Sequence, residues 1–201
     1  MYALSYITHV QHHTRGLHDR SALIEALGRA LGVVDPYTAA HNARVGELSQ
    51  LIAEALGLPR ADINHIREAG TLHDIGKIAI PHTALRKAGA LSVDEYEEVK
   101  RHPELGLQIL ERHPALLELA PGVLYHHERV DGAGYPYGLR GAAIPLVARV
   151  IAAADTVDAM LSDRAYRRAL DHAHVRAELI RASGSQLDAE VVGATLEVLA
   201  R

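Results

Sequence analysis

A chain of 201 residues suits one domain, with or without a short extension, and can bury a sizeable core without a covalent staple. It has no Cys, which excludes thiolate metal ligands, thiol nucleophiles and disulfides together. A formal net charge of −4 argues against a general nucleic-acid binder, and no apolar run of about 18 residues is present to span a membrane. Residues 1–20 read as an N-terminal extension or linker and residues 21–201 as a single domain. Leu23, Leu27, Ala30 and Leu31 recur at helical spacing and make one face of a first helix. Val45, Leu48, Ile52, Ala55 and Leu56 make the next, which Gly57 and then Pro59 should stop. Asp62 is placed to cap a third helix that carries Ile63, Ile66 and Ala69 towards His73. Ser92 with Glu95 has capping-box spacing, for a helix that ends before His102-Pro103. Another helix starts near Pro103 and carries Leu107 and Leu110. From Pro114 a further one carries Leu116, Leu117, Leu119 and Leu124, with a kink expected at Pro121-Gly122. Residues 128–145 are too dense in Gly and Pro for a helix interior and read as a long ordered loop, a length that usually signals function. A buried helix over 145–161 and amphipathic helices near 171–182 and 188–200 close the chain. The expected class is all-α, a single-domain helical bundle.

Phe and Trp are absent, so Leu, Ala, Val and Ile must build the core, whereas His numbers 14. Histidine is the commonest metal ligand. The informative set is His41, His73-Asp74, His102, His126-His127 and Asp155, each in or at the end of a predicted helix. Bundles build metal sites in that way, from side chains on facing helices. Adjacent His and Asp suit a bimetallic centre, because the imidazole can hold one cation while the carboxylate bridges two. Nitrogen and oxygen donors without thiolate favour iron, manganese, zinc or another divalent ion without choosing among them. The dipeptide alone is a weak signal, since His18-Asp19 is a second copy without such surroundings. His9, His12, His13 and His18 lack regular ligand spacing and read as solvated surface, as do His65, His82, His113, His172 and His174.

Across residues 35–188 these pieces form an ordered series. Asp35-Pro36-Tyr37-Thr38 with His41 and Arg44-Val45 comes first, then His73-Asp74-Ile75-Gly76-Lys77-Ile78 and His102-Pro103-Glu104. His126-His127-Glu128-Arg129 leads through Asp131-Gly132 to Gly134-Tyr135-Pro136, and Ala154-Asp155, Asp158-Ala159-Met160, Arg164 and Tyr166-Arg167 complete it. In that order they resemble the HD-GYP family of cyclic di-GMP phosphodiesterases. The resemblance implies an HD-type bundle with a long glycine-rich GYP loop, acting in second-messenger signalling; the cytoplasm is the default expectation from the lack of Cys, of an apolar span and of a signal-like N-terminus. It implies two divalent metal ions, iron or manganese foremost. One would be held by His41, His73, Asp74 and Asp155, the other by bridging Asp74 with His102, His126 and His127. It gives Asp74 and Lys77 catalytic roles, and gives phosphate binding to Lys77, Arg164 and Arg167. Gly134, Tyr135 and Pro136 would wall the pocket, with Tyr135 stacking on a guanine or donating a hydrogen bond. The same loop is the expected docking surface for a diguanylate cyclase-domain partner, and a homodimer stays open.

Two rivals remain at this point. One is an HD-type phosphohydrolase of another nucleotide; the other is a catalytically weak module that senses nucleotide or docks onto proteins. Departures from the family pattern, such as His82 after Pro81 and Leu187-Asp188-Ala189 for Phe-Asp-Pro, remove no presumed ligand. Family members with a third metal are expected to use a carboxylate one turn before the first His ligand. Tyr37 stands there, so two metals and a linear dinucleotide product are expected.

Overall fold

The computed structural model describes residues 20–85, 87, 89–163 and 168–201. Within them the chain is helical, with only isolated bridges, Asp131 to Arg140 and Ser183 to Leu187, in place of strands. Helix α1 covers residues 20–34 and ends at Asp35, whose extended backbone turns the chain into α2 (Pro36–Ala55). The Asp35 carboxylate accepts hydrogen bonds from the Tyr37 and Thr38 amides and the Thr38 hydroxyl, and Pro36 opens the helix where no amide is needed. Gly57, at φ +70°, ends that helical run as expected.

Helix α3 (Arg60–Leu72) packs along α2. Its cap is Pro59, not Asp62: the fixed φ of Pro59 starts the helix, and Asp62 falls in the first turn, where its charge favours the helix dipole. After α3 comes a tight 3-10 turn, Ile75–Ala79, then the short α4 (His82–Leu85) and α5 (Val93–Val99). The Ser92–Glu95 capping box is fully formed. Helix α6 (His102–Leu110) follows.

Residues 114–125 differ from the single kinked helix expected there. Pro114–Leu119 is a 3-10 helix, and α7 (Ala120–Tyr125) starts after it with Pro121 in its first turn. At three residues per turn Leu116 and Leu119 share the buried side, and Leu117 is left 48% exposed. Helices α8 (Leu146–Leu161), α9 (His172–Ala182) and α10 (Ala189–Val198) complete the bundle. None of the described helices is long and apolar enough to cross a membrane.

The main core joins α1, α2, α3, α7, α8 and α10 through buried Leu31, Ile52, Leu72, Val123, Ile151 and Val191. A second cluster, with Val157, Leu179 and Val192, ties the end of α8 to α9 and α10. Each such side chain contributes about 1.5–3 kcal/mol by leaving water. That suffices to hold a polar centre in the bundle, where each unpaired buried group costs about 1–3 kcal/mol. Helices α8 and α10 both contribute to the two clusters, and α8 presents Asp155 between them.

Candidate metal centre

The seven residues singled out by motif converge from six places in the chain. His41 comes from α2, His73 from the end of α3, Asp74 from the step into the 3-10 turn, His102 from the first turn of α6, His126-His127 from the end of α7 and Asp155 from α8. They form two groups whose donor atoms each lie within 4.8 Å of one another: Asp74, His102, His126 and His127, and His41, His73 and Asp155. Asp74 faces both. Its Oδ1 lies 3.1 Å from His102 Nε2 and 4.0 Å from His126 Nε2, whereas its Oδ2 lies 3.5 Å from His73 Nε2 and 4.0 Å from His41 Nε2.

Gly76 makes this meeting geometrically allowed. A Cβ there would lie 1.9 Å from the His102 carbonyl oxygen and 2.5 Å from the Gly106 amide nitrogen. Only a residue without a side chain lets the turn after Asp74 press onto the start of α6.

Ring orientation is set one layer further out. His73, His102 and His126 each donate Nδ1–H to the carbonyl three residues earlier, Gly70, Val99 and Val123, at 2.7–2.8 Å. Each Nδ1 proton is thereby committed, so each Nε2 turns a lone pair towards the centre. His41 donates Nδ1–H to Asp158 at 2.6 Å, and Arg44 holds the same carboxylate with two hydrogen bonds, Nε at 2.6 Å and Nη2 at 3.0 Å.

Without a cation this arrangement is frustrated. The Nε2 atoms of His102 and His126 face each other at 3.2 Å. His73 Nε2 and Asp74 Oδ1 are buried without a hydrogen-bond partner. A shared proton would relieve the clash of lone pairs, but burial first, then the neighbouring imidazoles, hold His126 well below the ordinary value. Burial, followed by His102, likewise holds His127 at about 3.

On the acidic side, burial alone would raise Asp74, yet Lys77, His73 and His102 keep it well below the usual carboxylate range. Asp155 is likewise held down, against burial, by its hydrogen bond to His41 and by His73 and His127. His41 is the exception. Burial pulls it down, but hydrogen bonds to Asp155 and Asp158 prevail and raise it to about 9. Its Nε2 proton, 3.1 Å from Asp155, stands where a cation would. Converging imidazole lone pairs, two ionised carboxylates and two orphaned buried atoms are the donor chemistry of divalent cations, so the residues fit the implied group.

A cavity of about 590 Å³ opens beside His126, His127 and Asp155, within the range of small-molecule sites. Its wall includes Gly134 and Tyr135. A Cβ at Gly134 would meet the backbone of residues 127–129 at 2.4–2.6 Å, so the segment lies directly on the His pair. Buried Glu128 clamps it, accepting from the Tyr137 amide at 2.7 Å and the Leu139 amide at 2.9 Å. Tyr135 lies flat against His127, with ring centroids 4.7 Å apart at 25°. Pro136 follows Tyr135 through a cis bond. Lys77, expected at a phosphate, is instead paired with Asp74 Oδ2 at 2.5 Å. Arg164 and Arg167 lie outside the described residues.

Several residues near the centre were not assigned a role from the sequence. Arg44, Glu128 and Asp158 appeared only as members of motifs; Tyr96 and Gln186, which also line the cavity, carried no signal at all. The one available clue was spacing, since Asp158 sits three residues after Asp155 on the same face of α8.

Residues 25–191 match the family model described as HD domain. The chain is 42% identical over 175 residues to the cyclic di-GMP phosphodiesterase response regulator RpfG of Xanthomonas campestris pv. campestris, covering 86% of this chain and 46% of that protein. It is 39% identical over 178 residues to a cyclic di-GMP phosphodiesterase of Thermotoga maritima, covering 88% and 48%. It therefore spans about half the length of these curated relatives. An HDG"Y"P protein from Bdellovibrio bacteriovorus shares the fold, with a TM-score of 0.69 at 17% identity over 92% of this chain and 64% of that one. With the family model covering most of the chain, the chain belongs to the HD domain family, and its motifs follow the order of the HD-GYP group.

Proposed function

We propose that this chain hydrolyses cyclic di-GMP to the linear dinucleotide pGpG at a two-metal centre, in second-messenger signalling in the cytoplasm. HD-domain phosphohydrolases use divalent metals, and the observation that carries the reading is the placement of Asp74 with one oxygen towards each donor group. His41, His73 and Asp155 would hold one ion and His102, His126 and His127 the other, with Asp74 shared. When bound, such ions polarise phosphoryl oxygens and lower the pKa of coordinated water.

The chain's own residues do the rest. Arg44 and Asp158 orient His41. Lys77 changes partner from Asp74 to a substrate phosphate once the charge on Asp74 is met by cations. Arg164 and Arg167 are proposed from the motif alone as further phosphate ligands, and would explain how an acidic chain takes an anionic substrate. Two ions rather than three are supported by Asp35, whose carboxylate is engaged in capping α2, and by Tyr37, a neutral phenol that is 47% exposed. A diguanylate cyclase-domain partner, if docked on this loop, would meet outward Tyr137, which is 58% exposed, rather than inward Tyr135.

The test is turnover by protein purified without air and loaded with iron(II) or manganese(II), on a panel of cyclic and linear nucleotides. Cyclic di-GMP should give pGpG, with GMP slow to follow. Two bound ions with no hydrolysis would favour a sensing or docking module, and preference for a non-cyclic nucleotide would favour another phosphohydrolase.

A further inference from the structure

Four of the five imidazoles at the centre have an orienting hydrogen bond: His41 to Asp158, and His73, His102 and His126 to backbone carbonyls. His127 has none to any described residue. Its ring is instead fixed by other rings. His126 lies tilted against it at 4.1 Å between centroids, His102 meets it edge-on at 4.9 Å, and Tyr135 stacks on it at 4.7 Å. His102 and His126 are bound to their own carbonyls and face the same centre. Tyr135 is the outer contact, and it lies on the face of the ring, where the others have a partner at the Nδ1 edge.

Tyr135 is itself held by more than packing. Its amide donates to the His127 carbonyl at 3.2 Å, so ring and backbone both address one residue. Gly134 permits the close approach, and the Glu128 carboxylate ties down the segment just beyond. The Lys100 ammonium lies 5.6 Å from the Tyr135 ring centroid, a further contact on the same ring. A ring so engaged is a poor platform for a nucleobase. It suits a ligating histidine, whose neutral ring a bound cation would polarise, because the electron-rich face of a phenol favours an electron-poor neighbour.

We infer that Tyr135 is a positioning residue, whose ring fixes the orientation of His127 for cation binding in place of the hydrogen bond that the other four imidazoles have. This rests on the reading of His127 as a ligand. It assigns the Tyr of the Gly134-Tyr135-Pro136 segment to one half of the centre, through its ring and not its hydroxyl.

The experiment titrates metal-free protein with manganese(II) alone, without substrate, and resolves the affinities of the two sites. Tyr135→Ala should weaken one site about tenfold, the lower end of what an outer-layer ligand partner contributes, and leave the other within about twofold. Tyr135→Phe keeps the stack and should bind like the unaltered protein. Wild-type affinity at both sites in Tyr135→Ala overturns the inference. So does equal weakening of both sites, which marks a general loss of structure, and so does Tyr135→Phe falling as far as Tyr135→Ala, which transfers the role to the hydroxyl. His127→Ala separates the two levels. If it weakens a site and Tyr135→Ala does not, only this inference falls; if His127→Ala binds both ions normally, the ligand assignment falls with it.

Discussion

Asp74→Ala is expected to leave no detectable turnover and to remove the response of the fold to a chelator. Among the described residues this carboxylate has one oxygen towards each donor set, so its loss would remove a donor from both proposed sites at once. Neighbouring carboxylates cannot substitute. Asp155 belongs to one set only, and Asp158 is occupied by His41 and Arg44. Ions that bind only the folded protein stabilise it by about 2.7 kcal/mol at a free concentration of 100 Kd. For a chain of this size that is about 5–11 °C in Tm. Chelation should therefore lower the Tm of the unaltered protein by that order and leave Asp74→Ala unmoved. Near-normal turnover with two ions retained would remove Asp74 from the centre.

Gly76→Ala should damage fold and site together, although it adds one methyl group and replaces no proposed ligand. The nearest atoms in its way, the His102 carbonyl oxygen at 1.9 Å, the Gly106 amide nitrogen at 2.5 Å and the His102 carbonyl carbon at 2.9 Å, are all backbone and cannot rotate aside. Relief requires the turn and the start of α6 to part by about 1 Å, at about 3 kcal/mol for overpacking of this kind. The expected fall in Tm is about 6–12 °C. Because the same movement carries His102 from Asp74, turnover should drop about 100-fold in the fraction that remains folded. Gly193→Ala is the control, with nothing within 4 Å of the added carbon on an exposed face of α10, and it should be neutral or stabilising by up to about 1 kcal/mol. A Gly76→Ala protein with unchanged Tm and turnover would refute the account of how Asp74 reaches α6.

The helical class and most element positions were legible because they depend on local signals. Apolar spacing marks the helices, Ser92 and Glu95 are near neighbours, and Gly57 ends a helix wherever it occurs. Local signals also misled. Asp62 is a good cap by type, but Pro59 had already started the helix; the residues after Pro114 have helical spacing, but they wind at three per turn. The residues gathered at the centre were visible as an ordered set of motifs. How they are held was not. The carbonyls that fix His73, His102 and His126 are free to accept only because each helix ends or begins there, which residue types do not reveal. The clamp from Glu128 to the amides of residues 137 and 139, and the turn of Tyr135 inwards onto His127, depend on the path of a loop through space. Lys77 shows the same limit: its spacing from Asp74 suited a phosphate contact, and the structure shows an ion pair with Asp74 itself.

Whether Asp74 joins two ions is read from an anomalous-scattering map of crystals grown without air and loaded with manganese(II). Two peaks are expected, one among His41, His73 and Asp155 and one among His102, His126 and His127, with an Asp74 oxygen towards each. No peak between these groups, or ions bound only elsewhere on the surface, would contradict that role for Asp74.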